Sequence, residues 1–221
     1  MDIQGKHIEI ITGRYGRGSQ ADNIVVDGIL GGEQAKERFE LYFHWYNLLH
    51  ELGHGIVFFH QESRLHPVDE EVLVNDFAVA FWQYYGDRES IDKLSMVVSY
   101  ALAHLKCPVD TGISYIDYAV EKWGREELYN FNNYGWVQFS CVANSLRQGK
   151  TLESVLPQMG IKDIKAQPPK TLSYVVLDED TVPKIIEDAV CVLREWGVML
   201  PDVSVRFDDD PNRHMCNIID A

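Results

Sequence analysis

Residues 41–60 read LYFHWYNLLHELGHGIVFFH, and everything else in the chain is arranged around the pentapeptide His50-Glu51-Leu52-Gly53-His54 inside that run. On an α-helix His50 and His54 stand one turn apart on one face. Two neutral imidazoles so placed suit a Zn²⁺ ion, and Glu51 falls beside the position that a catalytic zinc leaves open for water. A carboxylate there can take the proton of that water as it attacks a polarised carbonyl, which makes Glu51 the candidate general base. The flanks argue for a buried helix, since Leu41, Phe43, Tyr46, Leu48 and Leu49 precede the motif and Ile56, Val57 and Phe58 follow it. Gly53 and Gly55 oppose helix formation by about 1 kcal/mol each relative to alanine. A glycine within the motif is, however, what close packing against a neighbouring helix requires.

The motif helix is expected over about 33–60, followed by a polar loop at 61–69 with Asp69 as a helix cap, and a second helix over about 70–85. That second helix is apolar almost all round, so its polar residues Glu71, Asn75 and Asp76 need partners. A catalytic zinc takes a third protein ligand. Glu71 lies 17 residues beyond His54 and Asp76 lies 22 beyond it, and a helix, loop and helix return accommodates either. Asn75 sits one turn after Glu71 on the same face, where its amide can orient a metal-bound carboxylate or a ligand histidine.

Ahead of this region residues 7–12 alternate as a strand does, 13–20 form a glycine-rich loop, and 23–26 read as a second short strand. The expectation is a small amino-terminal sheet whose edge either holds an extended substrate through main-chain hydrogen bonds or merely covers the metal helix. Further helices are expected at about 90–105, 114–123, 136–147, 152–159 and 182–196, and a last strand at 203–207 before an acidic turn. The segment 131–135 (FNNYG) is the preferred substrate-facing loop. This is a mainly helical α+β pattern, with Pro157, Pro168 and Pro169 marking the boundary of any sub-domain.

A chain of 221 residues suffices for one domain, and no apolar run reaches the roughly 18 residues that span a bilayer. The polar amino terminus lacks the apolar segment of a signal peptide, so a cytoplasmic location is expected. With 34 acidic against 20 basic residues, the formal charge of -14 disfavours nucleic acid and anionic membranes as partners. It points instead to a protein or peptide with a neutral or basic contact surface; the oligomeric state stays open. Cys107, Cys141, Cys191 and Cys216 form no C-x-x-C pair and read as reduced core residues. Such a site usually adds a donor for the developing oxyanion, and His60, His66, His104, Tyr134 and His214 are the candidates.

The run from Phe43 through HELGH to His60, followed by Glu71-Val72-Leu73-Val74-Asn75-Asp76-Phe77-Ala78, resembles the ImmA/IrrE family of zinc peptidases, which includes phage-repressor proteases and the radiation-response regulator of Deinococcus. Residues 23–27 (NIVVD) and His60 belong to the same likeness, which covers about residues 23–85. It implies a zincin-like metallopeptidase core over that span with helices added over 86–221, Zn²⁺ held by His50, His54 and Glu71, and Glu51 as the base. The sequence departs from the family pattern at Val74, where alanine is preferred, and at Phe81-Trp82-Gln83 after the helix. The Asn75-Asp76 pair is also similar to the Asn-Glu of thermolysin-type enzymes, which keeps Asp76 open as a ligand. Two further classes fit the residues: a regulatory module that keeps a zinc site but acts by contact with a repressor or other protein, and a helical scaffold in which HELGH is a coincidence.

Overall fold

The computed structural model describes residues 7–208 and the backbone of residues 2–4. Strand β2 (His7–Gly13) turns Ile8, Ile10 and Thr12 inward and is the middle of a three-stranded sheet. It pairs antiparallel with β1 (Asp2–Gln4) and parallel with β3 (Asp202–Asp208), with His7 opposite Asp202 and Thr12 opposite Phe207. The partners of β2 therefore come from the two ends of the described chain.

The second strand expected at residues 23–26 does not form. These residues belong to helix α1 (Gln20–Leu30), and so does the NIVVD segment of the family likeness. The Ser19 hydroxyl accepts the Asp22 N–H at the start of the helix, Gly31 at φ 87° ends it, and Val26, Ile29 and Leu30 are buried at helical spacing. Four apolar-rich residues fit a period of 2 as well as one of 3.6, and here the flanking caps decide.

Residues 35–60 form one continuous helical rod: α2 (Ala35–Phe39), a π-helical segment (Glu40–Tyr46) and α3 (Asn47–His60). The π segment buries Leu41, Tyr42, His44, Trp45 and Tyr46, more faces than a regular amphipathic turn presents. Helix α4 (Pro67–Tyr85) is buried on nearly every side, and Trp82 stacks on Trp45 with centroids 4.2 Å apart. It begins before the expected Asp69: the His66 ring accepts the Val68 N–H, Pro67 opens the helix, and Asp69 lies in its first turn. Around this pair pack α5 (Arg88–His104), α6 (Tyr115–Lys122), α7 (Phe131–Gln148), α8 (Leu152–Val155) with a 3₁₀ turn (Leu156–Met159), and α9 (Thr181–Glu195). The fold is α+β and mainly helical.

Residues 131–135 are not a loop but the first turn of α7, because the Asn130 side chain caps the helix by accepting the Asn133 N–H. Most of the core is one apolar cluster running from β2 to the end of α9. A smaller, separate cluster of Val68, Tyr118, Ala119, Leu128, Val137 and Cys141 lies under α6 and the first half of α7. Cys141 is buried as expected, whereas Cys107 and Cys191 are exposed free thiols, the latter on the outer face of α9; Cys216, His214 and the acidic turn past residue 208 lie outside the described residues. Phe58, expected in the buried helix, faces solvent. No helix among the described residues is long and apolar enough to cross a membrane.

Candidate metal centre

Gly53 is what lets α3 and α4 meet. A Cβ added there would lie 3.0 Å from Val74 Cβ and 3.1 Å from Phe77 Cδ1. Gly55 does the same toward the sheet, where a Cβ would come within 2.7 Å of Ile8 Cδ1. At this crossing α3 carries His50, Glu51 and His54, and α4 carries Glu71 one turn before Val74.

One atom each of His50, His54 and Glu71 lie within 4.8 Å of one another. The two Nε2 atoms are 3.3 Å apart, His50 Nε2 is 3.5 Å from Glu71 Oε2, and His54 Nε2 is 3.8 Å from Glu71 Oε1. Ligands at about 2.05 Å in a tetrahedron are about 3.3 Å apart, so the donor set is close to what zinc requires. Two imidazole lone pairs at that distance also need a positive centre between them, either a proton or a metal.

The outer partners favour Nε2 as the ligand atom. His54 Nδ1 is 2.7 Å from Glu70 Oε1, which fixes the proton on Nδ1 and leaves Nε2 free to coordinate. Burial pushes His50 down to about 4, against the pull of Glu71 and the Asn75 amide and with help from the His54 charge, so His50 is neutral at pH 7. Burial also acts to lower His54, but its bond to Glu70 and the charges of Glu71, Glu51 and Glu70 outweigh it and raise His54 to about 9. Among the described residues His50 Nδ1 is buried without a hydrogen-bond partner of good geometry.

Glu71 is held from the far side by α7. Gln138 Nε2 donates to Glu71 Oε2 at 2.7 Å and to the Tyr134 hydroxyl oxygen at 2.7 Å, and Tyr134 Oη is 3.5 Å from Glu71 Oε1. Asn75 completes the chain: it accepts from Tyr46 Oη at 2.6 Å and donates to the Glu71 carbonyl at 2.7 Å and to Gln138 Oε1 at 3.4 Å. Tyr134 is held well above its ordinary value by burial, with the charges of Glu71 and Glu51 adding and the Gln138 bond opposing, so it is a neutral hydroxyl donor.

Glu51 is buried beside this group and receives a bond from Asn47 Nδ2 at 3.3 Å. Asp76 is engaged elsewhere: Ser145 Oγ and Lys150 Nζ each bind its buried carboxylate at 2.6 Å. Of the oxyanion-donor candidates among the described residues, the structure brings Tyr134 alone to the group. His60 donates to the Met199 carbonyl, His66 caps α4, and His104 stacks on Tyr100.

Glu70 and Gln138 are the members that sequence reasoning missed. Glu70 carries a faint signal, its position one residue before Glu71. The signal for Gln138 is the stripe Tyr134, Gln138, Cys141 and Ser145 at i, i+4, i+7 and i+11, which marks the face of α7 turned to α4. Searches of family models, of curated protein sequences and of solved structures yield no match to this chain.

Proposed function

We propose that this chain is a zinc-dependent peptidase with a zincin-like core, of the kind implied by its resemblance to the ImmA/IrrE family. The observation that carries the reading is the convergence of His50, His54 and Glu71 from two helices, with Glu51 buried alongside. When bound, zinc supplies a Lewis acid that acidifies a water and polarises a carbonyl. The chain's own residues do the remainder. His50 and His54 present neutral or neutralisable nitrogens, and Glu70 fixes the tautomer of His54. Gln138 and Asn75 orient Glu71 and its helix turn. Glu51 is the proton acceptor for the attacking water and later returns that proton to the leaving amine. Tyr134, whose hydroxyl is 3.5 Å from Glu71 Oε1, is the donor for the oxyanion that develops on the scissile carbonyl.

The test uses the full chain loaded with zinc and incubated with a mixture of unstructured peptides, new amino termini being read by mass spectrometry. We expect about one zinc per chain and new termini with the wild type, and with Glu51→Gln the same zinc content and cleavage reduced at least a thousandfold. Equal cleavage by Glu51→Gln, or a chain that takes up no zinc, would overturn the proposal.

A further inference from the structure

Tyr46 is the last residue of the π segment, and with His50 and His54 it stands at one-turn intervals along one face of the rod. Across from them α4 presents Glu71 and Asn75, also one turn apart. Two steps of this ladder set His50 and His54 against Glu71. The third sets Tyr46 against Asn75, holds no metal ligand and is fully buried on both sides. A hydroxyl in so dry a place costs stability unless it is bonded, and phenylalanine would fill the same space without one. What the hydroxyl does is visible in the amides beyond it.

The hydrogen bonds run in one direction. Tyr46 Oη donates to Asn75 Oδ1 at 2.6 Å, so the oxygen of that amide faces α3 and its two N–H bonds face away. One goes to the Glu71 carbonyl at 2.7 Å and the other to Gln138 Oε1 at 3.4 Å. With its oxygen engaged, Gln138 turns its own two N–H bonds to Glu71 Oε2 and to Tyr134 Oη, each at 2.7 Å. Both amides thus spend every hydrogen they have. An ionised carboxylate only accepts, so a flipped Gln138 would set oxygen against oxygen at Glu71. The Tyr46 hydroxyl is held in place as well: its ring packs on Tyr42 with centroids 5.4 Å apart, and Tyr42 packs on Phe139 of α7 at 4.5 Å. Burial keeps the hydroxyl well above its ordinary value, so its proton stays available. Resting on the metal-centre reading, we infer that Tyr46 is a positioning residue, whose hydroxyl sets the facing of the Asn75 and Gln138 amides and through them holds Glu71 towards His50 and His54. Without that hydroxyl Asn75 is free to turn, Gln138 loses the N–H that fixes it, and the carboxylate loses its aligned donor.

The experiment uses the full chain and reads metal rather than cleavage. Tyr46→Phe should weaken zinc binding about tenfold in chelator competition, the lower end of what an outer partner of a ligand contributes. It should also change the visible absorption of cobalt(II) bound in place of zinc, which reports coordination geometry. Tyr85→Phe is the control: it removes an equally buried hydroxyl, the acceptor of Trp196 Nε1 at the far end of α4, and should leave zinc affinity within about twofold. In a Gln138→Ala background, where the chain of donors is already cut, Tyr46→Phe should cost no more than about threefold. The wild type gives a check that does not depend on a variant folding: the Cζ signal of isotope-labelled Tyr46 should move when zinc is added. Unchanged affinity and cobalt absorption in Tyr46→Phe, the same loss in Tyr85→Phe, an equal cost with Gln138→Ala, or a Tyr46 signal indifferent to zinc each overturns the inference and leaves the peptidase reading standing. The expected metal results from a chain that cleaves no peptide would do the reverse. No zinc uptake by the wild type removes both.

Discussion

Two imidazole nitrogens 3.3 Å apart cannot both present lone pairs to empty space, and the neighbouring carboxylates determine which cation sits between them. In the metal-free chain it is the proton of His54, raised to about 9, while His50 stays neutral down to about 4. Zinc needs both rings neutral, so below pH 9 it must displace that proton. Zinc affinity should then rise about tenfold per pH unit from 6.5 towards 9 and flatten above. Calorimetric titration at pH 7.5 in two buffers of different ionisation enthalpy should report release of about one proton per zinc; identical heats would contradict the assignment. The same reasoning separates the two carboxylates of α4. Gln138→Ala removes a bond to Glu71 and should weaken zinc binding about 10–100-fold in a chelator competition. Asp76→Ala should leave zinc content at one per chain while costing about 2–4 kcal/mol in denaturant unfolding, because Lys150 and Ser145 lose their buried partner. Loss of zinc on Asp76→Ala would make Asp76 the ligand.

At the level of elements the crossing of α3 and α4 sets the donor geometry. Gly53→Ala gains about 1 kcal/mol of helix propensity but forces a methyl to 3.0 Å from Val74 Cβ, a branched carbon that cannot rotate away. The net expectation is a loss of about 1–2 kcal/mol and, because the helices must part, a weaker hold of Glu71 on the two histidines, read as reduced zinc affinity. Full affinity in a stably folded Gly53→Ala would show that the crossing does not set the site. This crossing was legible in the sequence, because both helices are long, strongly patterned and carry their polar residues at one-turn spacing. Shorter pieces were not. Residues 23–26 look like a strand until Ser19 and Gly31 are recognised as the ends of a helix. The run 131–135 looks like a turn because asparagine and glycine serve equally in a helix's first turn behind an Asn130 cap. Gln138 could be read only as a member of the inward stripe of α7: its partner Glu71 is 67 residues away, and no local rule relates a glutamine on one helix to a carboxylate on another. The partner of Asp76 was hidden by the same distance, since only the fold brings Lys150 to it.

For the molecule as a whole, the ligands and their supports come from α3, α4 and α7, so the donor set exists only when those helices are packed together. Any ion that binds there is therefore linked to folding. At a free zinc concentration 100 times Kd, the folded state gains about 2.7 kcal/mol, which for a chain of this size is roughly 5–10 °C in Tm. The increment has a definite pH dependence. In the metal-free chain His54, with its value raised to about 9, contributes stability that is complete below about pH 6.5 and is lost as pH rises through 9. His50, with its value lowered to about 4, imposes a cost that grows as pH falls below 6.5 and levels off under 4. The metal-free protein should thus lose stability from pH 6.5 to 9, while the zinc-bound protein, whose histidines carry no titrating proton on Nε2, should not. At fixed zinc the gain in Tm is expected to be larger at pH 8.5 than at 6.5, and scanning calorimetry with and without zinc at the two pH values measures it. A gain that is equal at both would mean that no proton stands in the metal's place, and that the short distance between His50 and His54 has another cause.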